Sequence, residues 1–581
     1  MRKIIYPLIM YGIKRDCIKW FHVNTEMEIE KRMNIQVLSE DNYGKKMFRD
    51  KGSDIFPGKM ENYKHLRNLR GRIQNNLTGF LRVTLTAGIV LVQCILILML
   101  PLILQNMTVY FYFILEIVAV IAMLTLVNSN QSPSFRLAWI ALALILPISG
   151  FVMYYLWGRS GGKKKRMDQY ILQQISYGKQ FLVHDEENYH KFLQENPVAG
   201  RMVKYMETEG FPLSAGNEVR YYPMGEDAFE DIFIDMEQAK HFIFVDFFIV
   251  AEGALWDKMH DIFKKKVAQG VEVKFLYDDF GGAIRTGKYF SAMLQKEGIE
   301  VRVFNPIHKY TGELYMNYRS HHKIVVIDGK TAFTGGFNLA DEYANLVERF
   351  GIWKDTGIRV VGEAVWGLTV IFLQMWEASD RNKEHLDYLK YRVMPDTTGD
   401  TYCHVISDGP ANKPYNPIES VYNQMIMYSD EYLYITSPYL VIEDYMKQSL
   451  IEAAKRGVDV RIVTPGIPDK KMIKILTNYN YGSLLREGIR IYEYLPGFVH
   501  AKQILTEDAA IVGTINMDYR SFYLHYENGI WMCGDQIKQD MKEDFLEMFQ
   551  KSREISYEDW KNRPRRYKII QPILNLFSIL L

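Results

Sequence analysis

Cysteine is scarce. Only Cys17, Cys94, Cys403 and Cys533 occur in 581 residues, and no two of them form a C-x-x-C pair. Neither a disulfide scaffold nor a cysteine-bound zinc site is expected from that spacing. An excess of one charge is also missing: 70 Lys and Arg face 69 Asp and Glu, a formal net charge of +1. A protein that holds nucleic acid by bulk electrostatics carries a marked basic surplus, so no nucleic-acid partner is expected and any anion site must be local. Low-complexity sequence is lacking too, since 48% of residues are hydrophobic and 14% aromatic, a composition that disordered chains do not have.

What is present is unevenly spread. Residues 1–82 form a polar extension with basic residues at Arg67, Arg70, Arg72 and Arg82. From Val83 to Val127 the only formal charge is Glu116; this tract divides at Gln105–Asn106 into two apolar runs, and a third covers Leu137 to Trp157. Each run approaches the ~20 residues that a helix needs to cross hydrocarbon. They predict a transmembrane region over residues 83–158, with two or three spans, in a multi-pass membrane protein. Arg159 and the cluster Lys163, Lys164, Lys165, Arg166 follow the third run and put the remainder on the cytoplasmic side. The arginines before Val83 ask for the same side, so either one run is re-entrant or one cluster yields, and the side of residues 1–82 stays open. Basic residues beside a bilayer also suit an anionic membrane surface.

The remainder is a repeat. FEDIFIDMEQ reads as a helix and AKHFIFVDFFIV (Ala239 to Val250) as a strand, followed by FKKKVAQGVEVKFLYDDFG, a helix, a glycine turn and a buried strand. DEYLYITSPYLV (Asp430 to Val441) and LIEAAKRGVDVRIVTPG repeat that grammar. Alternating helices and apolar strands predict α/β layers with helices covering the sheet. The predicted organisation is a linker over residues 159–215, then two similar α/β domains, 216–395 and 396–581, packed about an approximate twofold axis.

Both copies carry a His-x-Lys strand, SHHKIVVIDGKTAFTGGFN and VHAKQILTEDAAIVGTIN. The period of two points His321 and Lys323 the same way. Asp328-Gly329 makes a hairpin turn, Thr331 to Thr334 the return strand, and Asn338 follows it. His500, Lys502, Glu507-Asp508, Gly513-Thr514 and Asn516 repeat the pattern. Two histidines, two lysines and two asparagines without a histidine–carboxylate metal cluster fit a phosphodiester. Lysine and asparagine can hold its anionic oxygens. One imidazole can attack phosphorus and the other can protonate the leaving alkoxide. Each imidazole needs a carboxylate to fix its tautomer. Asp355 in GIWKDTG and Glu527 in HYENGIWM lie at similar offsets after His321 and His500, so each is expected to orient the histidine of its own copy.

The chain resembles the phospholipase D superfamily and, within it, the bacterial cardiolipin synthases. The pattern His-x-Lys-x4-Asp-x6-Gly-Ser/Gly-x-Asn is met at His321, Lys323, Asp328, Gly335, Gly336 and Asn338, and in the second copy at His500, Lys502, Gly513, Thr514 and Asn516. NSNQSPSFRLAWIALALILPISGFVMYYLWGR is similar to the family's membrane anchor, and TSPYLV, TPGIPDKK, GTINMDYRSFYLHYENG and WKNRP match segments of such synthases. The resemblance runs from about Val83 to the C-terminus. It departs at Glu507, where an aspartate is expected and the segment is one residue short, leaving Glu507 or Asp508 to serve. It departs again at Gly357 and Gln571.

The resemblance implies phosphatidyl transfer between two phosphatidylglycerols, giving cardiolipin and glycerol through a phosphohistidine, without nucleotide or metal cofactor. It implies catalytic roles for His321, Lys323, Asp328, Asn338, Asp355, His500, Lys502, Glu507, Asn516 and Glu527, with His321 as the nucleophile. It also implies residence in the bacterial cell membrane. A hydrolase of the same architecture and a non-catalytic lipid-binding scaffold are the alternatives.

Overall fold

The computed structural model describes residues 108–580 apart from 130, 159–161, 283–284, 288, 307–317, 381–384, 398 and 413–415, together with residues 88, 91, 92 and 95. All of them belong to one compact unit, Lys64–Leu581. The extension 1–82, most of the first apolar run, Arg159, and the side chains of Lys163, Lys164, Lys165 and Arg166 lie outside the described residues.

The expected grammar produces two matching sets of strands. The first set is β1 (Leu213–Tyr222), β2 (Phe242–Phe247), β3 (Glu272–Asp278), β4 (Glu300–Phe304), β5 (Arg319–Ser320), β6 (Lys323–Ile327), β7 (Thr331–Gly335), β8 (Ile352–Lys354) and β9 (Gly357–Val361). The second set is β10 (Thr401–Asp408), β11 (Tyr432–Thr436), β12 (Asp459–Pro465), β13 (Arg490–Tyr494), β14 (Gly497–Val499), β15 (Gln503–Thr506), β16 (Ala510–Gly513), β17 (His525–Cys533) and β18 (Ser552–Ile555). The sheet runs β4-β3-β2-β6-β7-β9-β1 through the first half. From the opposite end it runs β13-β12-β11-β15-β16-β17-β10 through the second, with β18 added outside β13. The same connection order is therefore used twice. The halves join where β1 pairs antiparallel with β10, Leu213 opposite His404 and Asn217 opposite Thr401.

Local chemistry explains the repeat. Helices Ala254–Ala268 and Asp444–Lys455 carry the chain between the parallel neighbours β2 and β3, and β11 and β12. Each crossover ends near a glycine with positive φ, Gly270 at 83° and Gly457 at 99°, a conformation that a Cβ would strain. Asp328 and Gly329 take φ values of 52° and 64°, and the two left-handed residues make the tight turn of the β6–β7 hairpin. Helix Ala364–Ala378 is buried at every position but Gly367. Its near-continuous apolar sequence is that of a core helix packed on all sides, and it lies against a cluster that includes Phe244, Ile358, Tyr434 and Phe545.

The N-terminal expectation is corrected. Among the described residues no helix is long and apolar enough to cross a membrane. The third run is not one helix: it forms Pro133–Ile145, breaks at Leu146, and resumes as helix Pro147–Met153, which widens into a π-helix over Tyr154–Gly158. Pro147 supplies no N–H and its ring excludes the preceding residue from helical geometry. The second run forms helix Thr108–Val127 with Glu116 exposed in it, and a carboxylate costs on the order of 3 kcal/mol at a bilayer centre. The transmembrane helices, the two or three spans, the membrane anchor and the multi-pass location are therefore withdrawn. The two α/β domains stand.

Candidate active site

His321 and His500 sit just before β6 and β15, and short ladders tie each to the opposite half. β5, immediately before His321, pairs with the start of β17 so that Arg319 faces His525 and Ser320 faces Tyr526. The His321 N–H then donates to the Tyr526 carbonyl at 2.8 Å. In the other direction β14 pairs with β8, and the His500 N–H donates to the Lys354 carbonyl at 2.7 Å. Each imidazole is thereby laid beside a carboxylate of the other half, Glu527 on β17 or Asp355 directly after β8.

The partners are crossed. His321 Nδ1 lies 2.8 Å from Glu527 Oε2, and His500 Nδ1 lies 2.6 Å from Asp355 Oδ2. The expectation that Asp355 orients His321 and Glu527 orients His500 is corrected, because similar offsets along the chain do not determine which half the pairing ladders bring close. Gly336 shows how tightly Asp355 is seated: a Cβ there would meet Asp355 Oδ1 at 2.0 Å. The matching residue of the second half, Thr514, instead donates its hydroxyl to Glu527 Oε2 at 2.5 Å.

His321, Asn338, His500 and Asn516 line one cavity of about 570 Å³. Aromatic side chains wall it, among them Phe248, Phe280, Tyr343, Trp353 and Tyr439, and Arg285, Arg319, Arg349, Lys470 and Arg520 reach it. Lys323 and Lys502 are buried behind the histidines. Lys323 Nζ donates to the His321 carbonyl at 2.7 Å, while Lys502 Nζ bonds the His500 carbonyl and lies 2.7 Å from its Nδ1. Asn338 Oδ1 accepts from the Ile249 N–H at 3.0 Å, and its buried Nδ2 has no hydrogen-bond partner among the described residues.

Burial dominates the electrostatics. It lowers Lys323 to about 7 and Lys502 to about 8 and, with Lys502 next in weight, lowers His500 to about 4. His321 is pushed well below its ordinary value by burial, then by Lys323 and His525. The carboxylates part company. Burial raises Glu527 to about 8 against the opposing pull of Lys323, Thr514 and Ser521. Asp355 ends below its ordinary value although burial works to raise it, because His500 and Lys502 favour its anion. An anionic phosphoryl group entering this cavity would restore the charged lysines.

Two residues of the expected set stand apart from the cavity. Asp328 accepts the backbone N–H groups of Lys240, His241 and Phe242 at 2.8, 2.7 and 2.9 Å. Glu507 does the same job in the second half, accepting from Asp430 at 2.6 Å and Tyr432 at 3.4 Å. Both pin the hairpin to the strand opening at β2 or β11, so neither is placed to touch a reacting group. Glu507 rather than Asp508 takes the motif position. The sequence reading also missed His525, which lines the cavity with its ring centroid 5.3 Å from that of His321. Its only sequence signal is its place two residues before Glu527 on a strand, which points both the same way. His321, His525 and Glu527 offer ligand atoms within 4.8 Å of one another among the described residues, so the expectation of no histidine–carboxylate cluster is corrected. Lys323, Lys502, Arg319, Arg520 and Lys470 bear on these histidines, and that charge favours an anion over a cation.

Paired His and Asn groups converging on one cavity, each histidine backed by a buried lysine, define a phosphodiester-processing enzyme of the duplicated type. A family profile described as "Cardiolipin synthase, PLD-like domain" matches residues 232–376 and 422–549. A second, "Phospholipase_D-nuclease N-terminal", matches residues 117–159. The cardiolipin synthase of Geobacillus kaustophilus is 32% identical over 465 residues, 78% of this chain and 90% of its own. That of Listeria welshimeri is 31% identical, covering 79% and 96%. A Streptococcus mutans protein of uncharacterised function is 36% identical, covering 79% and 99%. A phosphatidylserine synthase structure from Haemophilus influenzae shares the fold with a TM-score of 0.50 at 14% identity, covering 65% of this chain and 97% of its own. The chain belongs to the phospholipase D superfamily and is related to the bacterial cardiolipin synthases. Its site has the catalytic architecture of that superfamily, and its activity is, in general terms, of the phosphatidyltransferase kind.

Proposed function

We propose that the protein transfers a phosphatidyl group from one phosphatidylglycerol to another, giving cardiolipin and glycerol through a phosphohistidine. The observation that carries this reading is the convergence of His321 and His500, one from each half, on a single cavity with Asn338 and Asn516. The relatives named as cardiolipin synthases, matched over most of their length, support the choice of substrate.

In the first step the phosphoryl anion favours the cationic form of His500 against burial; His321 Nε2 bonds to phosphorus while the P–O bond to the leaving glycerol breaks, and His500, protonated with substrate bound, gives the alkoxide its proton. In the second step His500 takes the proton of the acceptor hydroxyl, which attacks phosphorus as the N–P bond breaks. Asn338 Nδ2 and Asn516 hold the phosphoryl oxygens, and the two lysines behind the histidines supply positive charge. Unequal carboxylates support these roles. An imidazole that becomes cationic on phosphorylation benefits from a basic partner at Nδ1, as Glu527 offers His321. A proton carrier benefits from a partner that remains an anion throughout, as Asp355 offers His500.

The test is to supply purified protein with phosphatidylglycerol alone and resolve the products. Cardiolipin with glycerol is expected. Phosphatidic acid with glycerol would instead mark a hydrolase, and no turnover would sink both.

A further inference from the structure

Glu527 is half used. Its Oε2 takes His321 Nδ1 at 2.8 Å and the Thr514 hydroxyl at 2.5 Å, whereas its buried Oε1 has no hydrogen-bond partner among the described residues. Facing Oε1 at 3.5 Å is Nδ1 of His525, itself buried and without a hydrogen bond. Two buried polar atoms left unpaired face to face are costly to leave so. Approach by about half an ångström would close the pair into a normal hydrogen bond. The arrangement is absent from the other dyad. Among the described residues no second imidazole is grouped with Asp355, and its other oxygen is already held by the Thr356 N–H at 3.0 Å.

We propose that His525 is a positioning residue for the attacking imidazole: its Nδ1–H closes onto Glu527 Oε1 as the N–P bond forms, holding Oε2 on His321. This rests on the phosphohistidine reading above. As His321 Nε2 gains phosphorus and the alkoxide departs with the proton of His500, positive charge develops on the ring and is balanced through Nδ1–H by Glu527. The carboxylate must then be ionised, and a second donor on Oε1 favours that form. The groups that bear on Glu527 include Lys323 on β6, Lys502 before β15, Thr514, Asp518 and Ser521 after β16, His321 and His525 beside it, and Tyr422 from helix Pro417–Tyr428. Among the donors, Lys323 is anchored to the His321 carbonyl and the Thr514 hydroxyl to Oε2, while the Ser521 hydroxyl, which accepts from the Asn516 N–H, also favours the carboxylate; the imidazole that faces Oε1 is His525.

The experiment compares His525→Leu and His525→Asn with wild type in three readouts: kcat and KM on phosphatidylglycerol, the acid limb of the kcat–pH profile, and the yield of His321 adduct in quenched enzyme. His525→Leu should lower kcat about 10- to 100-fold with KM within about twofold. It should also move the acid limb to higher pH, because a carboxylate that loses a donor ionises later. His525→Asn, which retains an amide donor, should recover much of the rate and return the limb towards wild type. A His525→Leu enzyme with wild-type kcat, or a slow one with an unmoved limb, would overturn the role while leaving the His321 adduct in place. Absence of that adduct in the wild-type enzyme would bring down the phosphohistidine reading itself, and this role with it.

Discussion

His321 and His500 occupy matching places in the two halves, yet the carboxyl groups that meet them are prepared differently. Glu527 is buried, shares Oε2 between His321 and Thr514, and is raised to about 8. Asp355 fills the space that Gly336 leaves open, is held by the Thr356 N–H, and stays below its ordinary value beside His500 and Lys502. Duplication supplied two equal sets of side chains; small differences around the carboxyls made one dyad basic and the other acidic. A symmetric frame can thus carry an asymmetric reaction, since a nucleophile and a proton carrier need different partners.

The largest expected effect tests whether both dyads serve one site. His321→Ala and His500→Ala should each lower turnover by at least about 10³-fold; a variant keeping half of the rate would mean two independent sites. Giving the enzyme a phosphodiester with a nitrophenolate leaving group sharpens the division of labour, since that group departs without a proton. Its first-turnover burst should survive His500→Ala and vanish in His321→Ala. The reverse pattern would exchange the two roles.

The crossing itself is tested one step down. Asp355→Asn and Glu527→Gln should each lower kcat about 10²-fold or more, with KM less affected. On the nitrophenyl substrate the Asp355→Asn burst should recover, because Asp355 serves His500, and the Glu527→Gln burst should not. Recovery in Glu527→Gln alone would restore the uncrossed pairing in function.

Stability against pH separates the dyads more gently. Glu527 has a folded-state value of about 8 against an ordinary 4.5. Its contribution is therefore fully present below the ordinary value and is lost as pH rises through 8. Wild-type Tm should fall more than that of Glu527→Gln between pH 6 and pH 9. Asp355 is depressed, so its contribution is present above its ordinary value and is lost as pH falls through the folded one; Asp355→Asn should flatten the acid side instead. Parallel Tm–pH curves for both variants would erase the distinction.

The smallest effect concerns the hairpins. Asp328 serves three backbone amides and Glu507 two, one of them at 3.4 Å. Asp328→Ala should cost about 2–3 kcal/mol and Glu507→Ala about 1 kcal/mol in urea unfolding, with kcat of the folded protein unchanged. A loss of kcat without a loss of stability would return Asp328 to the catalytic set.

Much of this molecule is written locally. The Asp328-Gly329 turn, the glycines after the crossover helices, the strands that follow each His-x-Lys opening and the asparagine after each return strand depend on residues a few positions apart, so period and turn chemistry reveal them; the histidines themselves lie just ahead of β6 and β15. The apolar run Leu137–Trp157 shows where a local count misleads. Hydropathy sums it as a single stretch, while Pro147 divides it into two short helices.

The sequence by itself determined the two α/β halves, the hairpins and the eight groups His321, Lys323, Asn338, His500, Lys502, Asn516, Asp355 and Glu527. Tertiary structure alone decided which carboxylate meets which histidine, that Asp328 and Glu507 tie down strands, and that His525 stands beside His321. The reason is physical. Pairing of β5 with β17 and of β14 with β8 joins segments more than a hundred residues apart. Backbone hydrogen bonds between such segments depend on how the two half-sheets are set against each other at β1 and β10, and no spacing along the chain encodes that.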